Sequence, residues 1–402
     1  MLCSLPWRLG VGWGTGSLAL HAGVRPDRDA GVGIDAAKLT TLEWGRFLAA
    51  TAVVFGHAGP NVDKLAAPGV GPVLGSWPAP GALGVTYFFV LSGFVMMMAH
   101  AGDWGDIAAV PRFWWRRLCR IYPAYWLALL IPFFFLHSLI TPEAAIPMIL
   151  LSPGHDREFI PAAWTLRHEL VFYFFFGLAL IPRLGPAILA VWVFATFWRW
   201  IPWPVLDMLH LPRSVWLSRV ANPWGMRAIS YFNFYFMGGL AAGWAFVKLR
   251  PGRRASLILA MLGAASILVT LPDLAWGNQY GVPVMFMRMA AQLGLLVLGL
   301  AGLERHGVLR GGRLARRAGA LSYPLYVIHM PLLLALEITL PKLALSGPAL
   351  LGALVAVLSL IYLSAWLITV LFDQPVQRLL RASEQWITSR LPGWAAVPQS
   401  RV

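Results

Sequence analysis

An arginine and a histidine stand eleven residues apart in an otherwise apolar stretch, Arg46 and then His57, with Phe47 to Gly56 between them. On a helix, eleven residues are about three turns and roughly 16 Å, so the two side chains share one face. If that helix crosses a bilayer, Arg46 lies near one membrane edge and His57 lies deep inside, where ionisable groups are costly and mark function. A histidine there can take a proton from a hydroxyl near neutral pH, or can itself be acylated. An arginine at the helix mouth can hold an anion such as a phosphate through paired hydrogen bonds. A plainer reading, a helix-capping cation plus a histidine bonded to a neighbouring helix, is equally open on spacing alone. Glu43, one turn before Arg46 on the same face, fits a role of neutralising and orienting the arginine.

Four further segments carry polar groups in apolar surroundings. Trp164-Thr165-Leu166-Arg167-His168-Glu169 opens an intensely aromatic helix and places Glu169 about one and a half turns inside its outer end. A carboxylate there needs a partner. His57 or an acceptor hydroxyl would serve, and an ion pair with Arg167 or His168 is the structural alternative. Arg116-Arg117-Leu118-Cys119-Arg120 collects positive charge that would attract a polyanion, although ordinary topological anchoring predicts the same residues. Ser322, Tyr326 and His329 follow i, i+4, i+7 spacing and form one polar stripe, which suits a shared site or a helix–helix hydrogen bond. Ser92-Gly93 permits close helix approach, and Ser92 lacks the flanking glycines of a hydrolase nucleophile.

The elements that must position these residues follow from composition. Of 402 residues, 58% are hydrophobic and 12% charged, far from the balance of a soluble domain. Twenty tryptophans suit the interfacial ends of many membrane helices. Two cysteines, Cys3 and Cys119, exclude a disulfide framework and a cysteine metal cluster. Spanning segments of about 20 apolar residues are expected near 42–60, 81–100, 121–140, 163–181, 185–202, 228–247, 255–272, 284–303, 319–340 and 348–371. The fold class is therefore an all-α, polytopic transmembrane helix bundle of about ten spans. The net charge of +15 comes mainly from short loops between apolar segments, which places both termini in the cytoplasm and argues against a nucleic-acid partner. Residues 1–38 read as a mobile cytoplasmic leader, a possible over-extension of the start. Residues 39–376 read as the membrane domain and 377–402 as a cytoplasmic tail.

In combination these segments resemble acyltransferase family 3, integral membrane proteins that modify sugars, polysaccharides and other hydroxyl-bearing molecules. Arg46 and His57 resemble its R-x10-H motif, and Phe88 to Phe94 its second-helix signature. Arg117 to Pro123 resembles its arginine-containing loop. Trp164 to Glu169 resembles W-S-L-x-x-E, with Thr165 in place of serine. Ser322 to His329 resembles S-Y-x-x-Y-x-x-H, and Asp373-Gln374-Pro375 the closing acidic-x-Pro element. The resemblance runs from Glu43 to Pro375. It implies a ten-helix bundle that takes an acyl group, usually acetyl, from cytoplasmic acyl-CoA and delivers it to a hydroxyl of a carbohydrate or lipid-linked acceptor. It also implies a bacterial inner-membrane location and no tightly bound cofactor or metal. No SGNH hydrolase-like segment, which some members carry, is evident.

Together the residues and the resemblance select His57, Arg46 and Glu169 as the catalytic group. Glu43, Arg117, Arg120, Trp164, Ser322, Tyr326 and His329 form the substrate-binding group. Arg46 orients the donor, His57 is base or transient acyl carrier, and Glu169, reached from the outer side, orients the acceptor or polarises His57. Loops 141–162 and 203–227 are expected to set acceptor specificity. A proton-coupled transporter or flippase, using the polar stripe as a relay, is the alternative.

Overall fold

The computed structural model describes residues 39–68, 74, 78–136, 141–154, 159–200, 223–275, 283–340 and 343–390, all within one compact unit of residues 35–402. The 1–38 leader and the tail beyond 390 lie outside the described residues, as does most of the 203–227 loop. The described residues are helical, with no strand among them. Their helices are α1 (Thr40–Asp63), α2 (Pro78–Ala99), α3 (Ala109–Leu136), α4 (Pro142–Ile149), α5 (Trp164–Ala179) and α6 (Gly185–Arg199). These are followed by α7 (Pro223–Ala228), α8 (Asn233–Lys248), α9 (Arg253–Ala275), α10 (Pro283–Arg305), α11 (Gly312–Thr339), α12 (Gly347–Ile368) and α13 (Gln374–Arg390). A π-helical turn, Thr369–Asp373, joins the last two.

Among the described residues, each of the ten expected apolar segments holds a helix. Six are long and apolar enough to cross a bilayer: α2 from Pro80, α3, α9 to Leu271, α10 from Val284, α11, and the α12–α13 run from Gly347 to Ile387. The others fall short for physical reasons. α5 and α8 have 16 residues and α6 has 15, about 24 Å of rise against a hydrocarbon core of about 30 Å. α1 has the length but carries Glu43 and Arg46 in its first turns.

Two crossings build the frame of the site. α1 and α11 run parallel, as their paired contacts rise together in sequence: Glu43 at Gly319, His57 at His329, and Lys64 bonded to Glu337 at 2.8 Å. The start of α1 is fixed by Glu304 at the end of α10. Its carboxylate accepts the Thr40 and Thr41 N–H groups, both at 2.7 Å, and the Thr40 hydroxyl at 2.6 Å. A carboxylate borrowed from another helix thus satisfies the orphan donors and the positive end of the α1 dipole. α2 meets α8 backbone to backbone. A Cβ on Gly93 would run into the Phe236 carbonyl, and one on Gly239 into the Val90 carbonyl, so the close-packing role expected of Gly93 is realised here.

Candidate active site

α11 supplies the most buried polar stripe. Ser322 and His329 are fully buried and Tyr326 nearly so. Ser322 returns its hydroxyl to the Gly319 carbonyl at 2.6 Å, an intrahelical bond. The Tyr326 hydroxyl lies 2.7 Å from the Thr165 hydroxyl and 3.2 Å from the Ala162 carbonyl, tying α11 to the first turn of α5. Thr165 keeps the hydroxyl that the serine of the motif would supply.

His329 Nδ1 lies 2.6 Å from the Tyr326 carbonyl, and its Nε2 lies 3.2 Å from His57 Nδ1. The two rings stack with centroids 5.2 Å apart. A carbonyl only accepts, so His329 carries its proton on Nδ1 and presents a bare Nε2. That nitrogen accepts from His57, which puts the His57 proton on Nδ1 and leaves His57 Nε2 with a free lone pair. His329 is wholly enclosed while His57 is exposed, so one imidazole is fixed and the other is open to a reactant. Sequence spacing had offered Glu169 as partner for His57; the structure gives His57 a second histidine.

Arg46, lower on α1, is bound to both carboxylate oxygens of Glu43 at 3.2 Å, as the spacing predicted. Glu43 is pressed against Gly319, where a Cβ would overlap its carboxylate. The Tyr87 hydroxyl of α2 is packed against Gly45 and feels the charges of Arg46 and Glu43. Glycines on α1 and α11 thus make room for the groups that hold Arg46 in place.

Glu169 belongs with the arginines. It accepts a short hydrogen bond from the Tyr173 hydroxyl one turn along α5, and its charged neighbours are Arg117, Arg46 and Arg120. α5 begins level with Tyr326 and runs towards Arg117, which lies over the Tyr173 and Phe113 rings. Glu169 therefore sits on the arginine side of the histidine pair. Approach from the outer side was expected. The difference arises because α5 starts level with the middle of α11, after a 3-10 turn at Pro161–Ala163. Among the described residues no ion pair joins Glu169 to Arg167 or His168. His168 instead turns Nδ1 to the Trp164 carbonyl at 2.9 Å, and its ring lies against Phe89, Trp164 and Phe232. Trp164 is a wall of that aromatic box, 4.8 Å from the Phe232 centroid.

Arg120 donates to Asp373 at 3.2 Å and lies over the Tyr323 ring at 4.9 Å. The Tyr323 hydroxyl donates to the Ile121 carbonyl at 2.6 Å. The acidic-x-Pro element thus works as the counter-ion of the arginine loop, a pairing across 253 residues. Sequence reasoning did not place Tyr87, Tyr173 and Tyr323 in this cluster; Tyr323 carried a signal as the first tyrosine of the S-Y-x-x-Y-x-x-H resemblance, whereas Tyr87 and Tyr173 are tyrosines in aromatic runs, which give none.

His100 lies one residue past the Pro80–Ala99 span, in the loop to α3. It is buried, holds Asp103 through Nδ1 at 2.6 Å, and accepts from Arg117 through Nε2 at 3.3 Å. Burial pushes the His100 pKa down against the opposing Asp103 hydrogen bond. That same hydrogen bond holds Asp103 below the usual carboxylate range. A neutral His100 therefore braces Arg117, a further positioning contact the sequence did not reveal.

The acyltransferase-domain family matches residues 39–370. The chain is 27% identical over 332 residues to the exopolysaccharide production protein ExoZ of Rhizobium meliloti (strain 1021), covering 79% of this chain and 95% of that protein. It is 24% identical over 330 residues to the peptidoglycan O-acetyltransferase OatA of Listeria monocytogenes, covering 70% of this chain but only 51% of that protein. A 155-residue stretch is 30% identical to the acyltransferase MdmB of Streptomyces mycarofaciens, covering 35% of this chain and 39% of that protein. No solved structure matches significantly. None of these relatives is named as a transporter, which leaves the relay reading without support. With the family match spanning α1 to the end of α12, and with apolar helices able to cross a bilayer, the chain belongs to the acyltransferase family and is an integral membrane acyltransferase.

Proposed function

We propose that the protein moves an acyl group, acetyl in the simplest case, from cytoplasmic acyl-CoA to a hydroxyl of a cell-envelope carbohydrate. The acceptor class is suggested by the names of ExoZ and OatA. The single observation that carries the chemistry is the His57–His329 pair, with its exposed imidazole and free Nε2. His57 Nε2 takes the proton of the acceptor hydroxyl as its oxygen attacks the thioester carbonyl. The carbon–sulfur bond then breaks, and the CoA thiolate takes up that proton to leave as the thiol. His329 accepts from His57 Nδ1 throughout, fixing the tautomer and the ring as the orienting member of a catalytic pair does.

Arg46, Arg117 and Arg120 supply positive charge on the donor side, with Glu43, Glu169 and Asp373 fixing their geometry. Tyr326 lies against the His329 ring, and Trp164, next in the chain to the Thr165 that bonds Tyr326, shapes the acceptor end. On this reading the ten apolar segments, with the short α5, α6 and α8 among them, lie in a bacterial inner membrane with both termini in the cytoplasm. Residues 39–376 then form the catalytic domain between a 1–38 leader and a 377–402 tail. The arginine clusters and the short loops support that orientation.

The test is direct. Purified protein given labelled acetyl-CoA and envelope polysaccharide should yield O-acetylated product, detected as one acyl mass difference, and His57→Ala should yield none while remaining folded in the membrane. Equal transfer by the variant, or none by the wild type, would sink the proposal.

A further inference from the structure

Between α3 and α13 lies a cavity of about 860 Å³, lined by Trp115, Arg116, Arg117, Arg120, Arg381 and Glu384 among others. It is within the roughly 300–1,000 Å³ typical of small-molecule sites. Its lining has four arginines and one carboxylate, so it is built for an anion. Half of it comes from α13, which lies beyond the 370-residue limit of the family match.

Three contacts fix α13 there. Gln377 donates to the Cys119 carbonyl at 2.8 Å, Arg116 to Glu384 at 2.7 Å, and Arg120 to Asp373 at 3.2 Å just before the helix begins. The pairs differ in exposure. The Arg116 side chain is 58% exposed and Glu384 12%, so the guanidinium keeps donors open to the cavity while one edge holds the carboxylate. Arg381, one turn before Glu384, is exposed, and no ion pair among the described residues engages it. The inner end of the cavity is Arg117 and Arg120, the arginines that face Glu169.

We infer that this α3–α13 cavity is the seat of the nucleotide end of acyl-CoA. Arg116 and Arg381 take its phosphates, Trp115 offers a face to its base, and Glu384 is a competing anion that sets how tightly Arg116 holds them. This rests on acyl-CoA being the donor. The thioester arm would then enter past Arg117 and Arg120 towards the histidine pair. A bidentate arginine suits a phosphate better than a lysine, and stacking on an aromatic face suits a purine.

Cys119 lines the same cavity and is one of only two cysteines, so it can report occupancy. In the full-length Cys3→Ser protein in detergent, adenosine 3′,5′-bisphosphate should slow maleimide labelling of Cys119, as should acetyl-CoA. Arg381→Ala should weaken that protection about tenfold, the scale of one charge-assisted hydrogen bond. Glu384→Gln should strengthen it several-fold, a gain that damaged folding would not produce. Labelling unaffected by the bisphosphate, while acetyl-CoA is still consumed, overturns the site and leaves the donor reading standing. Failure to consume acetyl-CoA overturns the donor reading and this site with it. Protection by phosphatidylglycerol micelles with none by the bisphosphate assigns the cavity to a lipid headgroup and overturns the inference.

Discussion

His329 Nε2 stands 3.2 Å from His57 Nδ1, and because His329 Nδ1 is committed to the Tyr326 carbonyl, that contact sets the protonation of both rings. A buried histidine is holding an exposed one in the tautomer a base requires. The arrangement makes His329 a positioning residue, and it separates the roles of the two histidines in ways that can be measured.

His57→Ala should abolish acyl transfer, and His57→Gln should do the same, since neither can accept the proton. A general base is worth about 10²–10⁴-fold, so residual transfer above about 1% of wild type would argue against the role. Product mass spectrometry with a check of membrane yield decides it.

His329→Ala should lower kcat more than donor KM, because the lost contact orients the base without touching acyl-CoA. His329→Gln, whose side-chain carbonyl can accept from His57 Nδ1, should recover part of the loss and shift the pH–rate profile. A His329→Gln enzyme no better than His329→Ala would show that bulk alone matters there.

Arg46→Lys should raise donor KM strongly, because one Arg46 nitrogen holds both oxygens of Glu43 and the rest of the guanidinium is left to grip a phosphate in a planar, two-pronged way that a lysine cannot. Gly319→Ala should resemble it from the opposite helix, since the new methyl group occupies the space of the Glu43 carboxylate. Overpacking of this kind costs about 1–3 kcal/mol, and the activity loss should exceed the stability loss. Thermal unfolding and steady-state kinetics on the same preparations separate the two, and wild-type kinetics in Gly319→Ala would remove Glu43 from the argument.

Below the ordinary histidine range the protein should lose stability through His100. Its folded pKa lies under the unfolded value of 6.5, so between the two the unfolded chain binds more protons. Stability therefore falls as pH drops from about 6.5 towards the folded value, and the loss is complete below it. Asp103, also held low in the folded state, continues the decline below its unfolded value of 3.8. The melting temperature in detergent should drop between pH 7 and pH 5, and His100→Gln should flatten that slope. An unchanged slope would mean His100 is not what the acid limb reports.

The sequence by itself determined what lies along single helices. Arg46 and Glu43 are three residues apart and meet as helical spacing requires; Ser322, Tyr326 and His329 share a stripe because 3.6 residues make a turn. It also determined the apolar segments, the membrane class and, through six ordered motifs, the family. Tertiary structure decided which stripe faces which. His57 meets His329 across 272 residues and Arg120 meets Asp373 across 253, pairings that no local period encodes. It moved Glu169 from the histidine to the arginines, because a helix's starting depth depends on the chain before it and not on its own pattern. It also set residues 377–385 of the expected 377–402 tail against α3, as one wall of a basic cavity. A strongly amphipathic helix declares in sequence that one face must pack, but only the folded bundle supplies the surface it packs against.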